Sequence, residues 1–158
     1  MNPLNITSPS FKNGGIIPNE HTGFGEDTSP MLQIGGLSPE TVSLAIVMDD
    51  LNIPFCKAYN HWIIWNIPRM ETLPAAIPHG QTVPSLGGAV QGIGYGANRY
   101  RGPKPPAFLR KPHTYVFRVY ALDCFLELPS HSRKRAFMKA MKGHILQYGE
   151  LLGQCSHP

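Results

Sequence analysis

The sequence predicts a mainly β protein, an antiparallel sandwich with one helix near its C-terminus, and three observations carry that expectation. Glycine and proline, 16 of each, make up about a fifth of the 158 residues, against an average of roughly 12%. Each of them interrupts a helix, so the composition suits strands and turns. Between these breakers the chain runs in apolar, β-prone stretches of strand length. Helical spacing of apolar residues appears convincingly in one place only, at Ala136, Phe137, Ala140 and Met141. Strands followed by a single helix fit a sandwich with a helical appendage.

The elements follow in order. Residues 1–30, rich in Gly, Pro, Asn, Ser and Thr, read as short strands joined by loops. Residues 31–34 form a short strand that the Gly35-Gly36 turn ends. Residues 41–48, Thr-Val-Ser-Leu-Ala-Ile-Val-Met, are a continuous β-prone run, the length of a buried central strand. That run ends in Asp49-Asp50, and two carboxylates at a buried strand end cost desolvation energy unless paired or wet, which marks a candidate site. Residues 61–67 are a second buried strand stopped by Pro68. Residues 68–98, interrupted by Pro74, Pro78 and Pro84, are a long irregular connection of the kind that is often functional. Residues 113–122 are a third strand, with Tyr115, Phe117 and Val119 on one face and Val116, Arg118 and Tyr120 on the other. Residues 130–142 are the helix, capped by Ser130 or Ser132 and stopped by Gly143. Residues 144–153 fit either a short helix or a closing strand. Trp62, Trp65 and Tyr115 read as core side chains.

Charge and cysteine content narrow the function. Charged residues are 15% of the chain and the net charge is +4. The first 71 residues hold Lys12, Lys57 and Arg69 against seven acids, whereas residues 99–142 hold eleven bases against Asp123 and Glu127. A basic half of this kind suits nucleic acid, anionic lipid or an acidic partner. No nucleic-acid motif accompanies it, so a solvated face is the simpler reading and a nucleic-acid partner is not expected. Cys56, Cys124 and Cys155 lack the spacing of a disulfide framework or a zinc motif and read as reduced thiols. No secretory leader and no apolar run of membrane-spanning length is visible, so a cytoplasmic protein is expected.

Two segments carry the candidate chemistry. In the first, Asp50-Leu51-Asn52-Ile53-Pro54 precedes His61-Trp62; in the second, Tyr100-Arg101-Gly102-Pro103-Lys104-Pro105-Pro106 precedes His113-Thr114-Tyr115. Each sets a stiff polar loop before a histidine that opens an apolar strand. If the first two long strands are antiparallel neighbours, Asp50 and His61 meet at one edge, where the carboxylate fixes the imidazole tautomer and leaves the other nitrogen for a ligand. The proline-rich loop presents rigid walls and few amides, as a preformed pocket requires. Enzyme readings find less support. His61, His113 and His144 with Asp49 or Asp50 offer ligands suited to zinc or iron, yet without metal-site spacing. Ser85-Leu86-Gly87 lacks the elbow of a serine hydrolase, and Gly92-Ile93-Gly94-Tyr95-Gly96 lacks the helix start and Gly-Lys-Ser/Thr of a nucleotide loop. A binding pocket is favoured over a catalytic site.

Taken together, Asp50-x-Asn52-x-Pro54, His61-Trp62, Tyr100-x-Gly102-x-x-Pro105-Pro106, His113-x-Tyr115-x-Phe117, Tyr120-Ala121-Leu122 and the ending His144-Ile145-Leu146 with Glu150-Leu151-x-Gly153 occur in a characteristic order. In this the chain resembles the phosphatidylethanolamine-binding protein family, also called Raf kinase inhibitor-like proteins, in its compact bacterial and archaeal form. The resemblance implies a single domain over residues 1–158, with its core at about 11–155. It further implies a Greek-key β-sandwich with a C-terminal helical piece and a surface pocket for phosphate-like anions, including the phosphorylethanolamine head group. Carried over by position, Asp50, Asn52, Pro54, His61, Gly102, Pro105, His113 and Tyr115 would form that pocket, with no metal and no cofactor. The family usually has Asp-Pro-Asp-x-Pro where this chain has Asp50-Leu51-Asn52-Ile53-Pro54, and Lys104 stands where animal members often have glycine.

These readings converge on a non-catalytic binding module in which His61 and His113 donate to phosphate-like oxygens and Asp50 orients a histidine or meets an ammonium group. Kinase or protease inhibition within the family implies a protein partner of that kind. A homodimer and a monomer are both compatible with the sequence. The alternative is a small metal-assisted or phosphoester hydrolase using the same histidines.

Overall fold

A computed structural model describes residues 2–158. In chain order the strands are β1 (Asn5–Thr7), β2 (Gly15–Ile16), β3 (Leu32–Gly35), β4 (Ser43–Asp50), β5 (Tyr59–Pro68), β6 (Thr72–Leu73), β7 (Thr82–Val83), β8 (Ala89–Gln91), β9 (His113–Leu122) and β10 (Ile145–Cys155). The single α-helix among the described residues, α1 (Lys134–Met141), lies between β9 and β10. Strands β1-β3-β6 form a three-stranded sheet, and β2-β10-β9-β4-β5-β8-β7 form a seven-stranded one. All pairings are antiparallel except that of β2 with β10. Within the large sheet the order β9-β4-β5-β8 is that of a Greek key, because the chain returns from β8 to set β9 beside β4. The ambiguous tail is the closing strand β10.

Strand β4 explains why its sequence does not alternate in polarity. It sits between β5 and β9 and is buried along its whole length. Leu44, Ile46 and Met48 face the small sheet, joining Ile6, Leu32, Ile34 and Leu73 with Trp62, Ile64, Phe117 and Val119. Ala45 and Val47 face the other way, into a second layer with Ile63, Trp65, Leu122, Phe137 and Met141 beneath the helix. A strand covered on both faces needs apolar residues at every position. The alternation expected for β9 is met: Tyr115, Phe117 and Val119 enter the first layer and Tyr120 the second. Packing also reaches further N-terminal than residue 11, since Leu4 and Ile6 are buried in the first layer.

The helix is shorter than its periodicity suggests and has no side-chain cap; Arg133 is the capping residue, not Ser130 or Ser132. Ser132 is buried and its backbone bonds Ile93 instead, through the Ile93 N–H at 2.9 Å. What holds the helix is its apolar face. Phe137 is fully buried and stacks on Trp65 with ring centroids 5.1 Å apart. Helices this short depend on such packing. We therefore expect Phe137→Ala to destabilise the protein by about 3–5 kcal/mol, read as a lowered urea midpoint with an unchanged m-value.

Candidate functional site

The site forms where β4, β5 and β9 meet the loops at one end of the large sheet. Asp50 closes β4 and is paired on one side with Tyr59 of β5 and on the other with Tyr115 of β9. The ladder between β4 and β5 slips here: Met48 pairs with Trp62, but Asp49 pairs with Asn60. His61 is thus the extra residue of a β-bulge, a device that re-aims a side chain at strand ends. Its ring sits edge-on to Tyr115 at 5.4 Å and to Tyr95 at 4.9 Å.

A cleft of ≈ 250 Å³ opens over these residues, with Asp50, His61 and Tyr115 at its floor and Gly102, Pro105 and Pro106 along one wall. Asp50, His61, Gly102, Pro105 and Tyr115 therefore come together as the sequence suggests. Asn52, Pro54 and His113 do not line the cleft. His113 lies behind it, 3% exposed, with its Nδ1 2.7 Å from Asp50 Oδ2. The imidazole that Asp50 orients is thus His113 and not His61, because β9 pairs with β4 in register and the bulge carries His61 away. Asn52 serves the loop: its N–H donates to Asp50 Oδ1 at 2.8 Å, and its Oδ1 accepts from the Thr114 N–H at 2.6 Å. Pro54 lies in the same exposed loop. His144, the third histidine of the metal reading, sits beside Asp123 at the opposite end of β9, and Asp49 points to the helical side of the sheet.

The electrostatics of the floor follow from these contacts. His61 Nδ1 donates to the Arg101 carbonyl at 2.7 Å, which leaves Nε2 as the free nitrogen. Burial holds the His61 pKa below the ordinary histidine value, against the opposing pull of the Arg101 carbonyl and of Asp50. His61 is therefore neutral at pH 7 and presents a lone pair, not a donor, until it is protonated. Burial and the nearby Asp50 push the Tyr115 phenol far above its usual range, so it stays protonated. Burial, with Asp50 again contributing, raises the neighbouring Cys155 thiol to about 11.

The walls contain residues that spacing alone did not reveal. Asp27, Arg99, Arg101, Lys104, Tyr59 and Tyr95 also line the cleft. Asp27 sits in the left-handed region at φ 60°, accepts from the Gly102 N–H at 2.8 Å and pairs with Arg99 at 3.6 Å. Arg101 lies over the Tyr95 ring, 3.9 Å from its centroid. Gly102 is required by crowding and not by its backbone angles. A Cβ there would lie 2.3 Å from the His21 carbonyl oxygen and 2.6 Å from Asp27 Oδ1. The Arg/Gly/Pro character of residues 99–106 was the one available signal for this wall; Asp27 lies 75 residues away from its partner and gave none.

The family profile described as phosphatidylethanolamine-binding protein matches residues 7–156. A UPF0098 protein of Pyrococcus horikoshii is 41% identical over 147 residues, covering 92% of this chain and 73% of that protein. A UPF0098 protein of Methanothermobacter thermautotrophicus is 39% identical over 152 residues, covering 95% and 97%. Among solved structures, a phosphatidylethanolamine-binding protein homologue from Chlamydia trachomatis superposes with a TM-score of 0.86 at 29% identity over the whole of both chains. YbcL of E. coli gives 0.87 at 27% identity, covering 99% of this chain and all of that one.

Because a β-carbon at position 102 collides with backbone and with the Asp27 carboxylate, Gly102→Ala should cost about 1–3 kcal/mol, measurable by chemical denaturation. Because the folded His61 pKa lies below the unfolded value of ~6.5, the unfolded chain binds more protons between the two. The stability due to neutral His61 is complete above ~6.5 and is lost as pH falls below it. Replacing it, in His61→Gln, should reduce the drop in urea midpoint between pH ~7.5 and ~5.5 relative to wild type. The sequence motifs, the sandwich with its helix, the family profile and the superpositions agree: the chain belongs to the phosphatidylethanolamine-binding protein family.

Proposed function

We propose that the protein is a non-catalytic binding module whose cleft takes phosphate-like anions or phospholipid head groups, and that it regulates a partner protein such as a kinase or protease. One observation carries the reading: the cleft contains three cations, while both of its carboxylates are already engaged within the protein. Asp50 is held by His113 and the Asn52 N–H, and Asp27 by Arg99 and the Gly102 N–H. Arg101 and Lys104 have no carboxylate partner among the described residues. The cleft volume, ≈ 250 Å³, is just below the ~300–1,000 Å³ of small-molecule pockets and suits a head group better than an acyl chain.

The rim supports a macromolecular source for that anion. Residues 51–58 and 101–112 carry Lys57, Arg101, Lys104, Arg110 and Lys111 with no acid. They also expose Phe55 and Phe108, at 111% and 80%. Exposed aromatics beside unopposed cations suit a surface that is both apolar and anionic.

Sulfate is a suitable probe because its charge is constant over the histidine range. Titration calorimetry should show sulfate affinity falling as pH rises above the His61 pKa, which burial places below the ordinary ~6.5, by no more than about tenfold per pH unit for one titrating group. The cause is that His61 Nε2 becomes a donor only when protonated. Lys104→Glu should weaken binding at every pH, and His61→Gln should flatten the profile. Sulfate binding unaffected by both substitutions would end this reading. Turnover of a generic phosphoester, abolished by His61→Ala, would favour a hydrolase instead.

A further inference from the structure

The second constellation lies past the far end of β9, ten residues beyond that strand's start and hence about 30 Å from it. Asp123 and Cys124 follow the last residue of β9, and His144 precedes the first residue of β10. One donor atom from each lies within 4.8 Å of the other two, the only such group of His, Cys, Asp or Glu among the described residues. We propose that Asp123, Cys124 and His144 form a transition-metal site of the zinc class.

The scaffold favours this. Leu122 and Ile145 are register partners, so both flanks of the group are fixed to one ladder. The Asp123 N–H donates to the His144 carbonyl at 3.0 Å, which locks the two residues across the strand ends. On the other side, the Cys124 carbonyl accepts from the Ser43 hydroxyl at 2.6 Å, tying Cys124 to the start of β4. Gly143, with φ 84°, supplies the turn that brings His144 back toward β9. The backbone therefore holds the three residues together, and the side chains only have to close. Two of the donors already touch, with His144 Nδ1 2.9 Å from Asp123 Oδ1.

The donor set selects the ion. One thiolate, one imidazole and one carboxylate suit zinc or cobalt, whereas calcium and magnesium take oxygen ligands. Bond lengths of ~2.0–2.3 Å to such ligands require donor separations shorter than the present limit. The half-exposed side chains of Asp123 and His144, at 43% and 47%, are free to make that adjustment. Binding exchanges the thiol proton and the Asp123–His144 hydrogen bond for metal bonds. Three protein ligands leave one tetrahedral position for water or another donor.

The test uses the full chain, stripped with a chelator and kept reduced, and titrated with cobalt(II). The expected result is one equivalent bound, with a near-ultraviolet thiolate-to-cobalt charge-transfer band that zinc abolishes on displacement. Cys124→Ser should remove the band, and Asp123→Ala and His144→Ala should each weaken binding by about tenfold or more. Cys56→Ser should leave band and affinity unchanged, since Cys56 is exposed on the cleft loop at the opposite end of the sheet. A band that survives Cys124→Ser, no band at all, or affinity indifferent to His144→Ala would overturn the proposal. Sulfate affinity of the cleft, measured in the same variants, should not change.

Discussion

Two adjacent carboxylates end the central strand almost wholly buried. Asp49 is fully buried and Asp50 is 1% exposed. Because successive side chains on a strand point to opposite faces, each must find its partners in a different layer of the molecule. Asp49 turns toward the helical layer, where Lys134 Nζ lies at 2.6 Å, Arg118 at 3.3 Å and the Asn60 amide at 3.1 Å. Asp50 turns toward the cleft layer, to His113 and to the N–H of Asn52. Leaving either charge unpaired would cost several kcal/mol. This requirement fixes where the first turn of α1 sits, where β9 begins and how the loop after β4 leaves the sheet. The helix and the cleft are therefore anchored to the same two residues, from opposite sides.

The same constraint explains the division of labour between the histidines. His113 is committed to its contact with the buried Asp50 carboxylate at 2.7 Å, so it shapes the floor from behind. His61, displaced by the bulge and tied to a backbone carbonyl, keeps one nitrogen toward the cleft. The cations that line the cleft, Arg99, Arg101 and Lys104, come from the loop along its wall and not from the floor. Arg99 pairs with Asp27 there, whereas Arg101 and Lys104 have no carboxylate partner among the described residues.

Much of this was legible in the sequence. The continuous β-prone run of residues 41–48 marked a buried central strand, observed as Ser43–Asp50, and the alternation in residues 113–122 gave the two sides of β9 correctly. The Asp50 loop, His61 and the Gly102–Pro105 segment were marked by composition, since stiff loops and strand-opening histidines leave local traces. What stayed hidden depends on register. A single bulge decided which histidine Asp50 meets, and nothing in Tyr59-Asn60-His61-Trp62 announces it. Asp27 enters the cleft wall from 75 residues away, and the long connection 68–98 contributes Tyr95 through a backbone with φ 51°. The helix ends were blurred because serines near its start suggested a cap, while packing of Phe137 and the Lys134–Asp49 ion pair set the real boundary.

The two tryptophans, three positions apart, report on different halves of the molecule. Trp62 lies between the sheets, donates from Nε1 to Gln91 at 2.8 Å and meets Tyr100 edge-on at 5.4 Å, next to the cleft wall. Trp65 lies under the helix against Phe137, and its Nε1 has no partner among the described residues. An indole with a hydrogen bond and one without emit at different wavelengths, because the excited-state dipole is stabilised in only one of them. The chain thus contains two optical reporters, one for the sandwich interior and one for the helical layer. Loosening of the helix would be visible apart from opening of the sheets, with no label attached to either.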